Sequence, residues 1–217
     1  PEALEVTKIY SVSGLLPSRL GLIRRRPFRS PHHTASTVAL VGGGSEAKPG
    51  EITLAHRGVL FLDEFPEFHR DVLEGLRQPL EDGIINVSRA SRSASYPAKF
   101  ILLSAQNPCP CGYATDPEKA CVCSPTQLLR YQKKISGPLL DRIDLHVEVP
   151  RLSYEKIEDE RILEDSSAVR NRVEAARERQ YQRFGKSNAE MTLSEIKEFC
   201  RPQEAGVLLV RNAVVSR

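Results

Sequence analysis

The most distinctive pattern in the chain is an uninterrupted apolar run that ends in two carboxylates. Residues 58–64 read GVLFLDE, so four apolar side chains are followed directly by Asp63 and Glu64. A strand that is apolar on both faces needs cover on both sides, which is typical of the middle of a parallel sheet between helices. Ligands of such sheets bind at the carboxyl ends of the strands. The pattern therefore predicts a buried central strand with Asp63 and Glu64 at the ligand-binding edge.

Three further stretches have strand-like patterns. The apolar run at residues 99–105 predicts a second buried strand, which is followed closely by Asn107. Residues 37–41 form a short β-like run before a glycine-rich hairpin tip. Apolar and polar residues alternate strictly over 143–149, which predicts a half-buried strand with one wet face.

A helix and a hairpin are predicted between the two apolar strands. Apolar residues recur at spacings of three and four from about residue 70 to 82, which is typical of one buried helix face. An Asp-Gly pair then ends the helix and begins a hairpin over residues 84–96. Arg89 and Arg92 lie at the tip of this hairpin.

The composition changes at about residue 151, where glycine nearly disappears and helix formers take over. Ser166 or Ser167 can cap a long helix, and Gly185 can end it. We therefore predict an α/β domain over residues 1–150 and a small helical domain over residues 151–217.

Length and composition are those of an ordinary globular chain. Its 217 residues are 40% hydrophobic and 27% charged, and a net charge of +3 is too small to indicate nucleic acid binding. No apolar run approaches the roughly 18 residues of a membrane span, and no signal peptide is recognisable, so a cytoplasmic location is expected. The first residue is Pro1 rather than Met, so we expect a piece of a longer protein.

A cluster of arginines precedes the first candidate strand. Two prolines exclude a regular helix there, which leaves a basic loop. It is either a solvated charged turn or a phosphate-binding segment, since arginine forks match phosphate oxygens. His32 and His33 follow it and have no metal-ligand spacing, so they are interpreted as structural. The four arginines are Arg24, Arg25, Arg26 and Arg29.

Four of the five cysteines fall within one short segment, residues 107–124, which is unlike a secreted disulfide framework. Two C-x-C pairs bracket a polar loop, so four thiolates could close around a tetrahedral Zn²⁺. The alternative is a set of reduced surface cysteines. The candidate zinc ligands are Cys109, Cys111, Cys121 and Cys123.

The position of Asp63 and Glu64 indicates nucleotide hydrolysis. One carboxylate after a central strand can hold a hydrated Mg²⁺, and its neighbour can orient or deprotonate a water. This is the Walker B pattern of P-loop ATPases, although a strand followed by a polar turn gives the same letters. The glycines at 42–44 suggest a phosphate loop, but that loop requires a lysine followed by serine or threonine, and Lys48 is followed by Pro49. No G-x-x-x-x-G-K-[ST] signature occurs among the thirteen glycines.

Four segments together resemble AAA+ ATPases of the magnesium-chelatase-like group, and specifically the ComM/YifB family. The segments are 26–33 (RPFRSPHH), 58–64 (GVLFLDE), 107–112 (NPCPCG) and 137–145 (GPLLDRIDL). The resemblance covers essentially the whole chain, and it implies an AAA+ parallel sheet flanked by helices with a small all-α C-terminal lid domain. Family members carry a Walker A loop before these residues and a sensor 2 arginine beyond them. The chain is therefore expected to be a fragment of the ATPase module.

The resemblance also implies roles for individual residues. Asp63 and Glu64 would be the Walker B pair, with Asp63 holding Mg²⁺ and Glu64 acting in catalysis. Asn107 would be sensor 1, and Arg142 would be the arginine finger offered to the neighbouring subunit. The alternative for Arg142 is a local ion pair with its acidic neighbours at positions 141 and 144.

The family implies an ATP-driven hexameric motor on DNA, because ComM-like proteins resemble helicases that drive branch migration during recombination of incoming DNA. The arginines of the basic loop fit this function, as do Arg89 and Arg92 on a hairpin that would line the central pore. Two alternatives stay open: a chelatase motor subunit that powers metal insertion, and a non-catalytic regulatory or scaffold module. The expected cofactors are ATP and Mg²⁺ for the longer protein and a structural Zn²⁺. The expected partners are other copies of the chain and DNA, with no membrane and no small-molecule substrate other than ATP.

Overall fold

The computed structural model describes residues 1–17, 21–44, 47–89, 92–151 and 164–215. Two compact units are present, Pro1–Arg151 and Leu152–Arg217.

The first unit combines short helices with short strands. Its helices are α1 (Glu2–Val12), α2 (Thr37–Val41), α3 (Glu51–Leu54), α4 (Arg70–Gly75), α5 (Arg77–Asp82), α6 (Pro125–Gln132) and α7 (Gly137–Leu140), with a 3₁₀ turn at Phe65–Glu67. Its strands are β1 (Phe28–Arg29), β2 (Gly42–Gly43), β3 (Lys48–Pro49), β4 (Val59–Leu62), β5 (Ile84–Arg89), β6 (Arg92–Pro97) and β7 (Ile101–Ser104).

A three-stranded parallel sheet organises this unit. Its strand order is β1-β4-β7, so the apolar run at 58–64 supplies the central strand as predicted. One sheet face is buried, because Leu60 and Leu62 of β4 are both 0% exposed. They pack in one core with side chains of the surrounding helices, including Leu40, Val72 and Leu139. This arrangement confirms the predicted α/β class.

The opposite face of the sheet is open in the described part of the chain. Ile101 and Leu103 of β7 are 67% and 52% exposed, and Phe28 of β1 is 62% exposed while it stacks on Phe61. The prediction of a buried strand at 99–105 was therefore right for the strand and wrong for its burial. The β-like pattern at 143–149 forms no strand in the described structure, and its apolar side chains are exposed. Alternation alone does not make a strand, which needs a neighbour to pair with.

An N-cap serine and a proline explain where the structure departs from two of the sequence-based predictions. The Ser36 side chain accepts a hydrogen bond from the Ala39 N–H and caps α2, so residues 37–41 are helical and the β-like prediction was wrong. The predicted helix at 70–82 is present but is interrupted between Gly75 and Arg77. Pro79 explains the interruption, because it cannot donate to the Gly75 carbonyl and its ring crowds that group.

The hairpin at 84–96 forms as predicted. Gly83 has a φ of 67°, so it ends α5 in the left-handed conformation that glycine adopts without strain. β5 and β6 then pair antiparallel, with Ile84 opposite Pro97 and Arg89 opposite Arg92.

A buried histidine joins α1 to the entry of β4. His56 is 2% exposed, and its Nδ1 accepts a hydrogen bond from the Lys99 N–H at 3.1 Å. The proton of the neutral ring is therefore on Nε2, which donates to Glu5 at 3.0 Å. Burial lowers the pKa of His56, which keeps the ring neutral. Hydrogen bonds from Arg57 and then His56 lower the pKa of Glu5 to about 2.

The second unit is helical in its described part. Asp165 caps the first helix by accepting from the Ala168 N–H at 2.7 Å, so the predicted cap at Ser166 or Ser167 was one or two residues late. Gly185, with a φ of 74°, ends that helix as predicted. Residues 152–163 of the predicted helical domain lie outside the described ranges. The helices are α8 (Ser166–Phe184), α9 (Leu193–Phe199) and α10 (Glu204–Val215), with a 3₁₀ turn at Asn188–Glu190.

Candidate functional site

The chain turns sharply where β4 ends. Glu64 lies in the left-handed region, with a φ of 52° and a ψ of 44°, and its N–H donates to Asp63 Oδ1 at 2.8 Å. The next N–H, that of Phe65, donates to the Ala105 carbonyl at 2.9 Å, and the Phe65 ring is buried. A non-glycine residue in this region costs about 1–3 kcal/mol and is maintained only by the structure around it. The buried ring and the cross-strand hydrogen bond supply that support.

Asp63 has the properties of a magnesium ligand. Its side chain is exposed at the carboxyl end of the central strand. One of its oxygens accepts the Glu64 N–H, and the other has no hydrogen bond within the described ranges. A free carboxylate oxygen on a fixed backbone is the type of ligand that a hydrated Mg²⁺ takes.

Asn107 lies at the same edge of the sheet as Asp63. Leu62 pairs with Ser104 in the parallel register, and the Ala105 N–H donates to the Leu62 carbonyl at 3.0 Å. Asn107 follows two residues later and is exposed. Neighbouring strands therefore deliver the two candidate residues to one edge, as expected from the apolar runs that precede them.

His33 contacts Glu64 directly, which the sequence analysis missed. Its Nδ1 lies 2.8 Å from a carboxylate oxygen of Glu64. The ring is held between His32, at a centroid distance of 4.1 Å, and the edge of Phe68 at 6.4 Å. The interpretation of His33 as purely structural is thus incomplete. No spacing signal could have shown this contact, because the two residues are 31 positions apart in the sequence.

Arg142 forms its hydrogen bonds with a different set of residues. It binds Glu81 through Nε, at 3.2 Å, and through Nη2, and its Nη1 donates to the Pro138 carbonyl at 2.6 Å. In the part of the chain that is described, Arg142 forms no ion pair with Asp141 or Asp144, which was the alternative interpretation of this residue. The Arg142 hydrogen bond lowers the pKa of Glu81, which keeps that carboxyl ionised.

Two arginines of the basic loop are engaged in ion pairs. Arg29 binds both carboxylate oxygens of Glu51, at 2.5 and 2.6 Å, and this pairing raises the pKa of Arg29. Arg26 binds Glu2 at 2.7 Å and donates to the carbonyl of residue 57 at 2.6 Å.

The other arginines of the predicted set differ from these two. Arg24 and Arg25 are exposed, and neither forms an ion pair or hydrogen bond with a residue that the structure describes. The side chains of Arg89 and Arg92 lie outside the described residues, although their backbone closes the hairpin. Arg24 and Arg25 are thus the arginines of this set with described side chains that are available to a ligand.

The four clustered cysteines meet in space. Their sulfur atoms all lie within 4.8 Å of one another. The Cys109–Cys111, Cys111–Cys121 and Cys109–Cys121 separations are 3.3, 3.6 and 3.8 Å. Zn–S bonds of about 2.3 Å place the sulfurs of a tetrahedral site about 3.8 Å apart, so the cluster fits Zn²⁺ closely. Backbone N–H groups of Tyr113 and Val122 lower the pKa of Cys111 to about 6, whereas burial raises the pKa of Cys123 to about 12, so without a metal the cluster favours one thiolate at Cys111 over ionisation of Cys123.

Comparison with known proteins identifies the class. Residues 1–157 match the family described as magnesium chelatase, subunit ChlI, and residues 163–217 match the family described as magnesium chelatase, subunit ChlI C-terminal. The chain belongs to this family, and its parallel sheet flanked by helices is the fold of an AAA+ module of the magnesium-chelatase type.

Relatives place it more narrowly. The chain is 46% identical to YifB of Escherichia coli over 194 residues, which cover 88% of this chain and 38% of that protein. It is 45% identical to the competence protein ComM of Haemophilus influenzae over 97% of this chain and 42% of that protein. The ComM/YifB resemblance is thereby confirmed. The chain spans about two fifths of the length of these relatives.

A solved structure gives a weaker match. The crystal structure of NtrX from Brucella abortus in complex with ADP aligns with 73% of this chain and 31% of that chain, at 16% identity and a TM-score of 0.42. That similarity is too low to bear on function. Within the described ranges, no helix combines the length and apolar character needed to cross a membrane.

Proposed function

We propose that this chain is part of an ATP-hydrolysing AAA+ motor. The observation that carries the proposal is the placement of Asp63 and Glu64 at the end of the central parallel strand, beside the strand end that leads to Asn107. Mg²⁺ bound with ATP would neutralise charge on the β- and γ-phosphates. Asp63 would hold that ion through its free oxygen, Glu64 would orient and deprotonate the attacking water, and Asn107 would donate a hydrogen bond to the γ-phosphate or that water.

The 217 residues do not contain the usual phosphate cradle. Backbone N–H groups and the lysine of a G-x-x-x-x-G-K-[ST] loop normally hold the triphosphate, and no such sequence occurs in this chain. We therefore expect the chain by itself to bind Mg-ATP weakly or not at all. Isothermal titration calorimetry tests this, and tight binding to residues 1–217 would contradict it.

Glu64→Gln in the longer protein tests the catalytic assignment. The amide keeps the size and hydrogen bonding of the side chain but cannot accept a proton, so nucleotide binding should persist while turnover stops. Glu67→Gln is the matched control, since Glu67 lies one turn further on and pairs with Lys134 at 2.8 Å. Normal turnover in Glu64→Gln would exclude the assignment.

We further propose that Arg142 serves as an arginine finger in a ring of identical subunits. A guanidinium that reaches the γ-phosphate of a neighbouring subunit stabilises transition-state charge and is worth roughly 10³-fold or more in turnover. In the assembled ring it would exchange Glu81 for the phosphate. Arg142→Ala should abolish turnover with folding intact, and mixing it with Glu64→Gln subunits should restore some activity at junctions that keep both intact groups. Near-normal turnover of Arg142→Ala in an assembled ring would overturn this role.

We propose that the motor acts on DNA, with helicase or branch-migration activity as the leading hypothesis. Exposed Arg24 and Arg25 support it, as does the name of the competence protein ComM. Removing one arginine that binds a DNA phosphate should reduce the slope of the logarithm of the binding constant against the logarithm of the salt concentration by about 0.7–0.9. We expect Arg24→Gln/Arg25→Gln in the longer protein to reduce that slope when DNA binding is measured by fluorescence anisotropy at several salt concentrations. Arg26→Gln should not, because Arg26 is paired with Glu2.

Two alternatives make different predictions. A magnesium-chelatase-type motor, favoured by the family description, would couple turnover to metal insertion and show no salt-dependent DNA binding. A regulatory or scaffold module, favoured by the lack of a phosphate-loop signature in these residues, would bind its partner equally with and without nucleotide.

We propose one structural Zn²⁺ per chain at the four clustered cysteines. Four thiolates leave no open coordination position, so the site would serve structure rather than catalysis. Elemental analysis of protein purified without chelator should give one zinc per chain, and Cys111→Ser should lose it. Cys200→Ser is the control, because Cys200 does not belong to the cluster. A zinc content near zero with freely titrating thiols would exclude the site.

A further inference from the structure

A surface cleft lies beside the turn that follows Glu64. Its volume is about 260 Å³, and its walls come from two segments, the turn at residues 66–70 and the residues that follow α6. Among the described residues that line it, none belongs to the proposed ATP, DNA or zinc sites, so the cleft is a separate feature. The lining residues are Pro66, Glu67, Phe68, Arg70, Lys133 and Lys134.

The two walls of the cleft are anchored to the fold and to each other. Phe65 and Phe68 are 1% and 4% exposed, so the 3₁₀ turn that they flank is held in the core. The Lys134 ammonium lies 2.8 Å from a carboxylate oxygen of Glu67 and 5.5 Å from the centroid of the Tyr131 ring, which ties the end of α6 to that turn. A ligand would therefore find a cleft that is already formed, which favours affinity.

The charge of the cleft is positive. The ion pair between its walls is neutral, which leaves two cations, Arg70 and Lys133. Both side chains are exposed, and neither forms an ion pair or a hydrogen bond with a residue in the described ranges. Glu74, one turn after Arg70 on α4, is paired with Arg77 at 3.1 Å. Two cations thus line the cleft without a bound counter-charge among the described residues.

We propose that the cleft binds a phosphate group between Arg70 and Lys133. A phosphate group is anionic at neutral pH and offers several acceptor oxygens. The fork of an arginine can bind two of these oxygens, and a lysine ammonium binds phosphate as a point charge. The inference goes beyond the proposed function, because neither residue has a part in it.

The size of the cleft indicates what carries the phosphate. A water molecule occupies about 30 Å³ in the liquid, so the cleft has room for more than a bare ion. The phosphate group therefore belongs either to a small phosphate ester or to a nucleic acid strand.

Nuclear magnetic resonance of the 217-residue chain tests the site with inorganic phosphate as the probe. Phe68 lines the cleft, and the chain has seven phenylalanines, so labelling with ¹⁵N-phenylalanine gives few signals. Phe184 and Phe199 belong to the second unit and serve as references. At constant pH and ionic strength, the Phe68 amide signal should shift saturably as phosphate is added, which gives a Kd. The absence of a saturable Phe68 shift with phosphate would overturn the site.

Substitution of the two cations tests their role as ligands. Arg70→Gln and Lys133→Gln should each raise the Kd for phosphate about tenfold, the factor expected for loss of one hydrogen bond to a charged group. Both side chains are exposed, so folding should be unaffected. Lys8→Gln is the matched control, because Lys8 is an exposed lysine of α1 that does not line the cleft. An equal rise in Kd for Lys8→Gln would show a general charge effect and overturn the site.

Two further probes define the chemistry of the ligand. Acetate should bind more weakly than phosphate, because its single charge matches two cations poorly, and equally tight acetate binding would overturn the assignment to phosphate. A short single strand of DNA that shifts Phe68 at lower concentration than phosphate, and less effectively in Arg70→Gln, would identify nucleic acid as the carrier. A shift with phosphate and none with the strand would assign the site to a small phosphate ester. A longer protein that hydrolyses no ATP would overturn the proposed function and leave this site standing.

Discussion

Gly58→Ala should destabilise the protein strongly, although it adds a single methyl group. Gly58 precedes β4, where the chain passes close to the residue before β1. A Cβ at this position would lie 1.9 Å from the Pro27 carbonyl oxygen and 2.8 Å from its carbonyl carbon. Real Cβ contacts are essentially never shorter than 3.0 Å, so the two segments must separate by roughly 1 Å.

The magnitude follows from what this separation breaks. The Pro27 carbonyl accepts a hydrogen bond from the Val59 N–H at 2.9 Å, and this bond begins the β1–β4 pairing. Its loss costs about 1 kcal/mol. Forcing a methyl group into a close-packed site costs about 1–3 kcal/mol more. We expect a total loss of about 2–4 kcal/mol in the free energy of unfolding.

Urea unfolding followed by far-ultraviolet circular dichroism measures this loss, since the chain has no tryptophan. The midpoint should fall while the m-value stays constant. Gly137→Ala is the control, because a Cβ there meets nothing within 4 Å. A change of less than about 0.5 kcal/mol for Gly58→Ala, the range of ordinary surface substitutions, would refute the steric reasoning.

Three further predictions concern single side chains. The pKa of Glu5 is about 2 in the fold against an ordinary value of 4.5, so its contribution to stability is present above about pH 4.5 and is lost as the pH falls towards 2. When urea unfolding midpoints are measured at several pH values between 2 and 5, the midpoint of Glu5→Gln should therefore depend less on pH than that of the wild type. His33→Ala in the longer protein should lower ATP turnover roughly tenfold at constant ATP affinity. His33→Asn should keep part of the turnover, because its amide can still bind Glu64, and an equal loss of turnover in both variants would contradict this role. Ser124→Ala should cost about 1 kcal/mol in urea unfolding through loss of the α6 cap, unlike Ser166→Ala, which removes no N-cap.

The features that could be predicted from the sequence are encoded by residues close together in the chain. Four apolar residues at 59–62 identified the central strand, and the polar pair after them identified the edge. The Asp-Gly pair before residue 84 identified the hairpin, and Gly185 identified the end of α8. In each case the signal and the structure involve the same few positions.

The features that could not be predicted depend on distant residues. The Glu81–Arg142 ion pair joins residues 61 positions apart, and no local pattern marks either one as a partner of the other. The alternation at 143–149 gives a strand pattern, but no neighbouring strand pairs with it in the described structure. A β-like run at 37–41 became a helix because a single serine capped it. Propensity acts as a weak prior that tertiary contacts and capping override.

The left-handed backbone at Glu64 has a consequence for how this position can vary. Glycine adopts that conformation freely and asparagine tolerates it, so selection for stability alone would favour these residues over glutamate at this position. Glu64→Gly should thus raise stability by up to about 1 kcal/mol while removing the carboxylate. Retention of glutamate here would then require selection for its chemistry, because selection for stability acts in the opposite direction.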